Sequence, residues 1–247
     1  MKTLSGLRTV HGGFADRAIP GDDLSAILQA SVRAANASGR QSYSLIVLDD
    51  AAIMRSVCGY SGSKAIVFCV DFSRIATVAR HLGYQDQFVD LVEFITASVD
   101  VSLAAQTAVV AAKSLDIDSL ITNGAHRAKM DDVFALLALP EKYCFPLITL
   151  VLGYPEKEPD YLKGRLSGAG VVHYGKYAPL SESDINELIA AYDDDALRLG
   201  INPDWRKQGF AHYLDWFYSK WNGPTDPAQL RDFAARLERS GFLDGFK

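Results

Sequence analysis

The sequence predicts an α+β fold, and three observations lead there. The stretch from Gln85 to Gly124 has no Pro and no Gly before Gly124, and Phe88, Val92, Ile95, Val99 and Leu103 recur at steps of three and four, the spacing of one helical face. After Leu103 this helix reads Ala-Ala-Gln-Thr-Ala-Val-Val-Ala-Ala. A helix that loses its polar side is buried all round, and Ala lets neighbouring backbones come close, so this is expected to be a central helix, shared in one reading with a second subunit. Third, short apolar runs alternate with helical segments. Lys64–Val70 reads as a strand buried on both faces, and Pro146–Leu152 as a further strand.

Composition sets the limits. The chain has 247 residues, 49% hydrophobic and 22% charged, enough for one large domain or a domain with an appendage. A net charge of −5 argues against nonspecific nucleic-acid binding, while leaving room for a local basic pocket. The three cysteines, Cys58, Cys69 and Cys144, are far apart and show neither metal spacing nor a disulfide framework, which predicts a reducing, cytoplasmic setting and no metal. The N-terminus lacks an apolar signal core, and no apolar run approaches membrane-spanning length, so no membrane segment is expected.

Taken in order, Leu7-Arg8-Thr9-Val10-His11-Gly12-Gly13-Phe14 combines donors with two glycines that permit close backbone approach. Such a loop suits an anion or a planar heterocycle, though Arg–Gly loops also occur without ligands. Pro20-Gly21 makes a turn, and Asp22 or Asp23 is expected to cap a helix carrying Leu24, Ile27 and Leu28. The small polar loop Ala35–Gln41 precedes a strand, Tyr43–Leu48, and a short helix, Ala51–Val57. Asp71–His81 reads as a helix closed by Gly83. Beyond the central helix, Ser119–Thr122 is strand-like and leads into Asn123-Gly124, then a helix from Lys129 to Leu137. Lys163-Gly164-Arg165 sets two cations on one side of an extended segment, a clamp for a phosphate or a solvated basic loop. Val171–Tyr174 is expected to add a short strand. Ser181–Asp184 is a capping box with Asp in place of Glu. An aromatic-rich segment with Trp205, Tyr213, Trp216 and Trp221 and a last helix, Ala228–Arg239, close the chain. The expected division is a body of residues 1–180 and a helical extension of residues 181–247 that packs on the body or on a partner subunit.

From Leu7 to Tyr177 these segments resemble the nitroreductase family of FMN-dependent oxidoreductases. The resemblance rests on Arg8-Thr9-Val10-His11 followed by Phe14, on the loop Ala35–Gln41 before a strand, on the Ala-rich helix leading to Asn123-Gly124, and on the ordered run Leu139-Pro140-Glu141, Leu152-Gly153-Tyr154-Pro155 and Lys163-X-Arg165. It implies a mixed, mainly antiparallel sheet of four or five strands flanked by helices, in a homodimer with a long interface helix and a flavin between subunits. Its 1–180 body would be the FMN-binding domain. It implies hydride transfer from NAD(P)H to a small-molecule acceptor (nitroaromatic, quinone or flavin) by a ping-pong mechanism, with a flavin-storage or sensing protein as the alternative. Arg8, Lys163 and Arg165 would hold the FMN phosphate, Thr9 would add a hydroxyl, and Asn36, Ser38 and Gln41 would serve from the loop. No side chain would be catalytic in its own right. His11, Asn123 and Gly124 would tune the flavin, His11 by charge near its pyrimidine edge and the Asn123-Gly124 backbone near N5. Gly12 takes the place of His11 if the alignment has no gap, and Gly39 stands where the family loop has Asn.

Overall fold

The structure, a computed structural model, describes residues 1–85, 89–168 and 170–244. Phe88 of the predicted helical face lies outside them. The chain forms two compact units, Met1–Glu158 with Asp226–Lys247, and Pro159–Thr225. The expected boundary at residue 180 thus falls inside the second unit, and the last helix returns to the first.

The first unit is built on a four-stranded sheet, β1 Tyr43–Leu48, β2 Lys64–Asp71, β3 Asp118–Thr122 and β4 Cys144–Gly153, in the order β1-β2-β4-β3. All three pairings are antiparallel. The expectation allowed a mixed sheet; each neighbour here runs opposite to the next. The central strands β2 and β4 carry the apolar runs seen in the sequence, and Ala65 through Val70 are buried. Around the sheet lie α1 Lys2–Ser5, α2 Gly21–Ser31, α3 Ala51–Cys58, α4 Ser73–His81, α5 Leu91–Ser114, α6 Met130–Leu137 and, from the end of the chain, α9 Pro227–Arg239.

The central helix is α5, of 24 residues. By length and composition it is apolar enough to cross a bilayer, which the sequence reading had not anticipated. Its inner side, Ala97, Val101, Ala104, Ala105, Ala108 and Ala112, is buried against the sheet and α2 as in a core helix. The first half of the helix presents its other apolar face to solvent. Val92, Ile95, Val99 and Leu103 do share a face, and they are 69%, 57%, 54% and 42% exposed. Four large apolar side chains in one stripe are more than scattered surface apolars.

Local chemistry explains the element ends. Asp50 caps α3 through the Ala52 and Ile53 N–H groups, and Asp90 caps α5 through Glu93 N–H. The caps expected at Asp22 or Asp23 are not formed: α2 begins at Gly21 behind Pro20, and the two carboxylates lie in its first turn, where they complement the helix dipole. Asp71 ends β2 instead of opening α4, because its carboxylate accepts from the Ser44 hydroxyl and from Ser73.

The second unit holds α7 Glu182–Asp193, capped by the predicted Ser181–Asp184 box, and α8 Tyr213–Trp216, followed by a π-helical turn at Phe217–Trp221. Trp205, Tyr213 and Trp216 form its own small core. The strand expected at Val171–Tyr174 is absent: these residues form turns with Val171 and Val172 half exposed, and no neighbouring strand pairs with them among the described residues.

In the first unit α9 is anchored by one buried cation. Arg236, 2% exposed, lies 3.4 Å over the Phe134 ring and donates to the Glu141 carboxylate at 2.9 Å and to its carbonyl at 3.1 Å. Replacing it removes stacking and hydrogen bonds together. Arg236→Ala is expected to lower unfolding free energy by about 2–4 kcal/mol in urea titration, with faster proteolysis between Thr225 and α9; an unchanged midpoint would show that α9 is held otherwise.

Candidate functional site

Arg8 and Thr9 run alongside the sheet edge. Thr9 bridges Ser119 in parallel, and Val10 N–H donates to the Ser119 carbonyl at 3.0 Å. Arg8 thereby meets Asp118, the first residue of β3: its Nε donates to Oδ1 at 3.0 Å, and Nη2 bonds to Oδ2. Lys113, in the last turn of α5, reaches the same carboxylate at 2.8 Å, and Arg8 Nη1 pairs with Glu158 at 2.7 Å. The hydrogen bonds to Asp118 and Glu158 hold the Arg8 guanidinium even more firmly protonated than usual. Burial opposes ionisation of Asp118, but the hydrogen bonds from Arg8 and Lys113 outweigh it and keep its carboxyl below the usual carboxylate range. Asp118 is 3% exposed and fixes Arg8 from within, whereas the Glu158 side chain is 75% exposed. The Nη1 edge is therefore the one an incoming anion could take.

The same strand ends at Thr122, followed by Asn123 and Gly124. The structure supplies its own reason for glycine there. A Cβ on Gly124 would lie 2.1 Å from the Cys58 carbonyl oxygen. Tight packing on the end of α3, rather than approach to a flavin, already demands the glycine. Its N–H donates to Thr122 Oγ1 at 3.0 Å. His11 is exposed, and its ring centroid is 6.3 Å from that of Tyr60, two residues beyond Cys58. Arg8, Thr9, His11, Asn123 and Gly124 are thus linked through β3 and the end of α3. Gly12 and Gly13 both take positive φ, 78° and 63°, which allows the sharp bend after His11.

The loop with Asn36, Ser38 and Gln41 is held elsewhere on the same unit. Ser38, Gly39 and Gln41 all have positive φ, of 53°, 67° and 48°. Two of these are not glycine, a conformation that persists only when its surroundings impose it. Asn36 Oδ1 accepts from Gln41 N–H at 3.1 Å, and Arg74 donates to the carbonyls of Arg40 and Gln41 at 3.3 and 2.5 Å. Two acids of α5 complete the frame: Asp100 accepts from Ala37 N–H at 2.9 Å, and Glu93 pairs with Arg40 at 2.7 Å. Asp100 and Lys113, the helix contacts nearest the loop and nearest Arg8, are thirteen residues apart on α5, about 20 Å along its axis. Within one chain the loop and Arg8 are not brought together.

In the second unit Lys163 Nζ donates to the Gly200 carbonyl at 2.6 Å, and Arg165 donates only to the neighbouring carbonyls of Lys163 and Gly164. Among the described residues neither cation meets a carboxylate. Burial and the adjacent Arg165 charge push the Lys163 pKa down.

The relatives fit this picture. The chain is 31% identical over 204 residues to the oxygen-insensitive NADPH nitroreductase of Salmonella typhimurium, covering 78% of this chain and 79% of that one. It is 28% identical over 204 residues to the FMN reductase [NAD(P)H] of Bacillus subtilis, covering 78% and 80%. The solved NfrA1 nitroreductase of B. subtilis superposes with a TM-score of 0.80 over 97% of each chain at 21% identity, a likeness of fold. No family model matches the chain. The antiparallel sheet crossed by a long small-residue helix, and an identity of this length and level, place the chain in the nitroreductase family of FMN-dependent oxidoreductases.

Sequence reasoning named Arg8 and the loop but not the acids that hold them. Asp118 carried no distinguishing signal, being one of two Asp residues between the central helix and the strand-like run Ser119–Thr122. Asp100 did carry one: it is the sole charge between Phe94 and Ala112. The depressed Asp118 pKa means that its contribution to stability is full above the unfolded carboxyl value and is lost as pH falls through the folded one. Wild type is therefore expected to lose stability below about pH 4 more steeply than Asp118→Asn, read from urea midpoints between pH 2.5 and 7; parallel pH profiles would refute the assignment.

Proposed function

We propose that this protein transfers hydride from NAD(P)H to a small acceptor such as a nitroaromatic, quinone or flavin. It does so through FMN, in a ping-pong cycle, as a cytoplasmic homodimer. Bound FMN supplies the hydride chemistry, and the chain supplies charge, orientation and enclosure.

The residues present fit such a group. The observation that carries the reading is the Lys163–Arg165 pair. Two exposed cations two residues apart, neither meeting a carboxylate among the described residues, repel each other, and the Arg165 charge helps to push the Lys163 pKa down. A phosphate dianion relieves that repulsion, with Arg offering a planar fork and Lys a point charge. Arg8 would offer the cofactor its Nη1 edge in exchange for the exposed Glu158, while Asp118 keeps the rest of the guanidinium oriented. Thr9 would add a hydroxyl donor. The Asn123-Gly124 backbone and His11 would face the ring, His11 as a donor or cation at its electron-accepting edge.

The loop containing Asn36, Ser38 and Gln41 would serve the same cofactor from a second copy of the chain. Its separation from Arg8 along α5 supports a site that two chains complete, and the exposed stripe Val92, Ile95, Val99 and Leu103 on that helix supplies an apolar face to bury between them.

The double variant Lys163→Ala/Arg165→Ala is expected to weaken FMN binding by about 10–100-fold, from the loss of charge-assisted hydrogen bonds, with the apo protein as stable as wild type or more so. Titration by flavin fluorescence and a thermal melt measure the two effects, and unchanged FMN affinity would remove the phosphate assignment. Val99→Asp is expected to turn the dimer into a monomer in light scattering, because it sets a charge in the apolar stripe; a persistent dimer would place the interface elsewhere.

A further inference from the structure

We infer that Asp100 is a positioning residue for the cofactor: it sets the shape of the loop 36–41 from inside α5, and through that loop governs flavin affinity. The inference rests on the FMN reading above and names a residue that reading does not use.

Asp100 stands in the middle of a helix whose neighbouring positions are Ala, Val, Ser and Leu. It is 3% exposed, a location where an acid is costly and an apolar residue would pack better. Its Oδ1 accepts one hydrogen bond, from the Ala37 N–H at 2.9 Å, and Oδ2 accepts none among the described residues. The carboxyl therefore acts on one thing, the Ala37 N–H of the loop. Glu93 lies seven residues earlier, two turns back on the same face, and holds Arg40 at the loop's other end. Between these two anchors and just past the second, the chain passes through the left-handed conformations at Ser38, Gly39 and Gln41. Such a conformation costs free energy at each non-glycine position and relaxes once its restraints are cut. Release at Ala37 would let Ser38 and Gln41 move before any cofactor is met, and the ordering would then have to be supplied by binding, which weakens it.

Two variants cut the restraint from opposite sides. Asp100→Ala removes the acceptor. Ala37→Pro removes the donor; Asn36 already has the extended backbone, φ −146° and ψ 153°, that a residue before proline requires. Asp100→Asn keeps an oxygen for the same hydrogen bond. Ser31→Ala serves as control, since it deletes another buried hydrogen bond to α5, from the Ser31 hydroxyl to the Ala104 carbonyl at 3.0 Å, without touching the loop.

The measurement is FMN affinity of the full-length apo protein by fluorescence titration, beside hydrogen exchange of peptides covering 36–41 and a thermal melt. Asp100→Ala and Ala37→Pro are expected to weaken FMN binding at least tenfold and to speed exchange in the loop. Asp100→Asn should stay within threefold of wild type. Ser31→Ala should lose stability and keep its affinity. If both loop variants bind FMN as wild type does, or if Ser31→Ala weakens binding as much as they do, the role of Asp100 is overturned while the FMN reading stands. If wild type itself takes up no FMN, that reading falls, and this inference with it.

Discussion

The seating of α5 on the sheet is the contact on which the rest of the molecule depends. Its inner face is a row of Ala and Val residues, Ala97, Val101, Ala104, Ala105, Ala108 and Ala112, all buried. Small side chains bring the helix backbone close to β2 and β4, so a long helix and a twisted sheet share one dense interior. Both ends of the helix then become fixed points. In its first half Glu93 and Asp100 hold the loop 36–41; at its end Lys113 meets Asp118, and Asp118 holds Arg8. One packed helix thus places two groups of polar residues at a set separation.

The second theme is uneven neutralisation of charge. Some cations of this acidic chain have carboxylates beside them. Arg8 is gripped by Asp118 and Glu158, and buried Arg236 by Glu141 and the Phe134 ring. Lys163 and Arg165 donate to carbonyl oxygens and meet no carboxylate among the described residues.

Glycine illustrates how one residue can answer two demands. Gly124 was read from the sequence as making room for a flavin, yet the end of α3 requires it first, because any side chain would collide with the Cys58 carbonyl. The turn is therefore closely packed on the end of α3 within the chain itself.

Much of the fold was legible in local patterns. The apolar runs of β2 and β4, the three-and-four spacing of α5 and the Ser181–Asp184 box are short-range signals, set by backbone geometry and by solvent contrast along a few residues. What tertiary structure decided lies in partners distant in the chain. The sequence named Arg8 as a cation but not Asp118, 110 residues away, as its holder. It placed the stripe Val92, Ile95, Val99 and Leu103 on one face, yet could not tell that this face points to solvent within a single chain. It suggested a strand at Val171–Tyr174 from apolar content alone, and a strand exists only where another offers its hydrogen bonds. Periodicity reports which side of an element avoids water; only packing determines what covers that side, because burial is a property of the assembled chain and not of the segment.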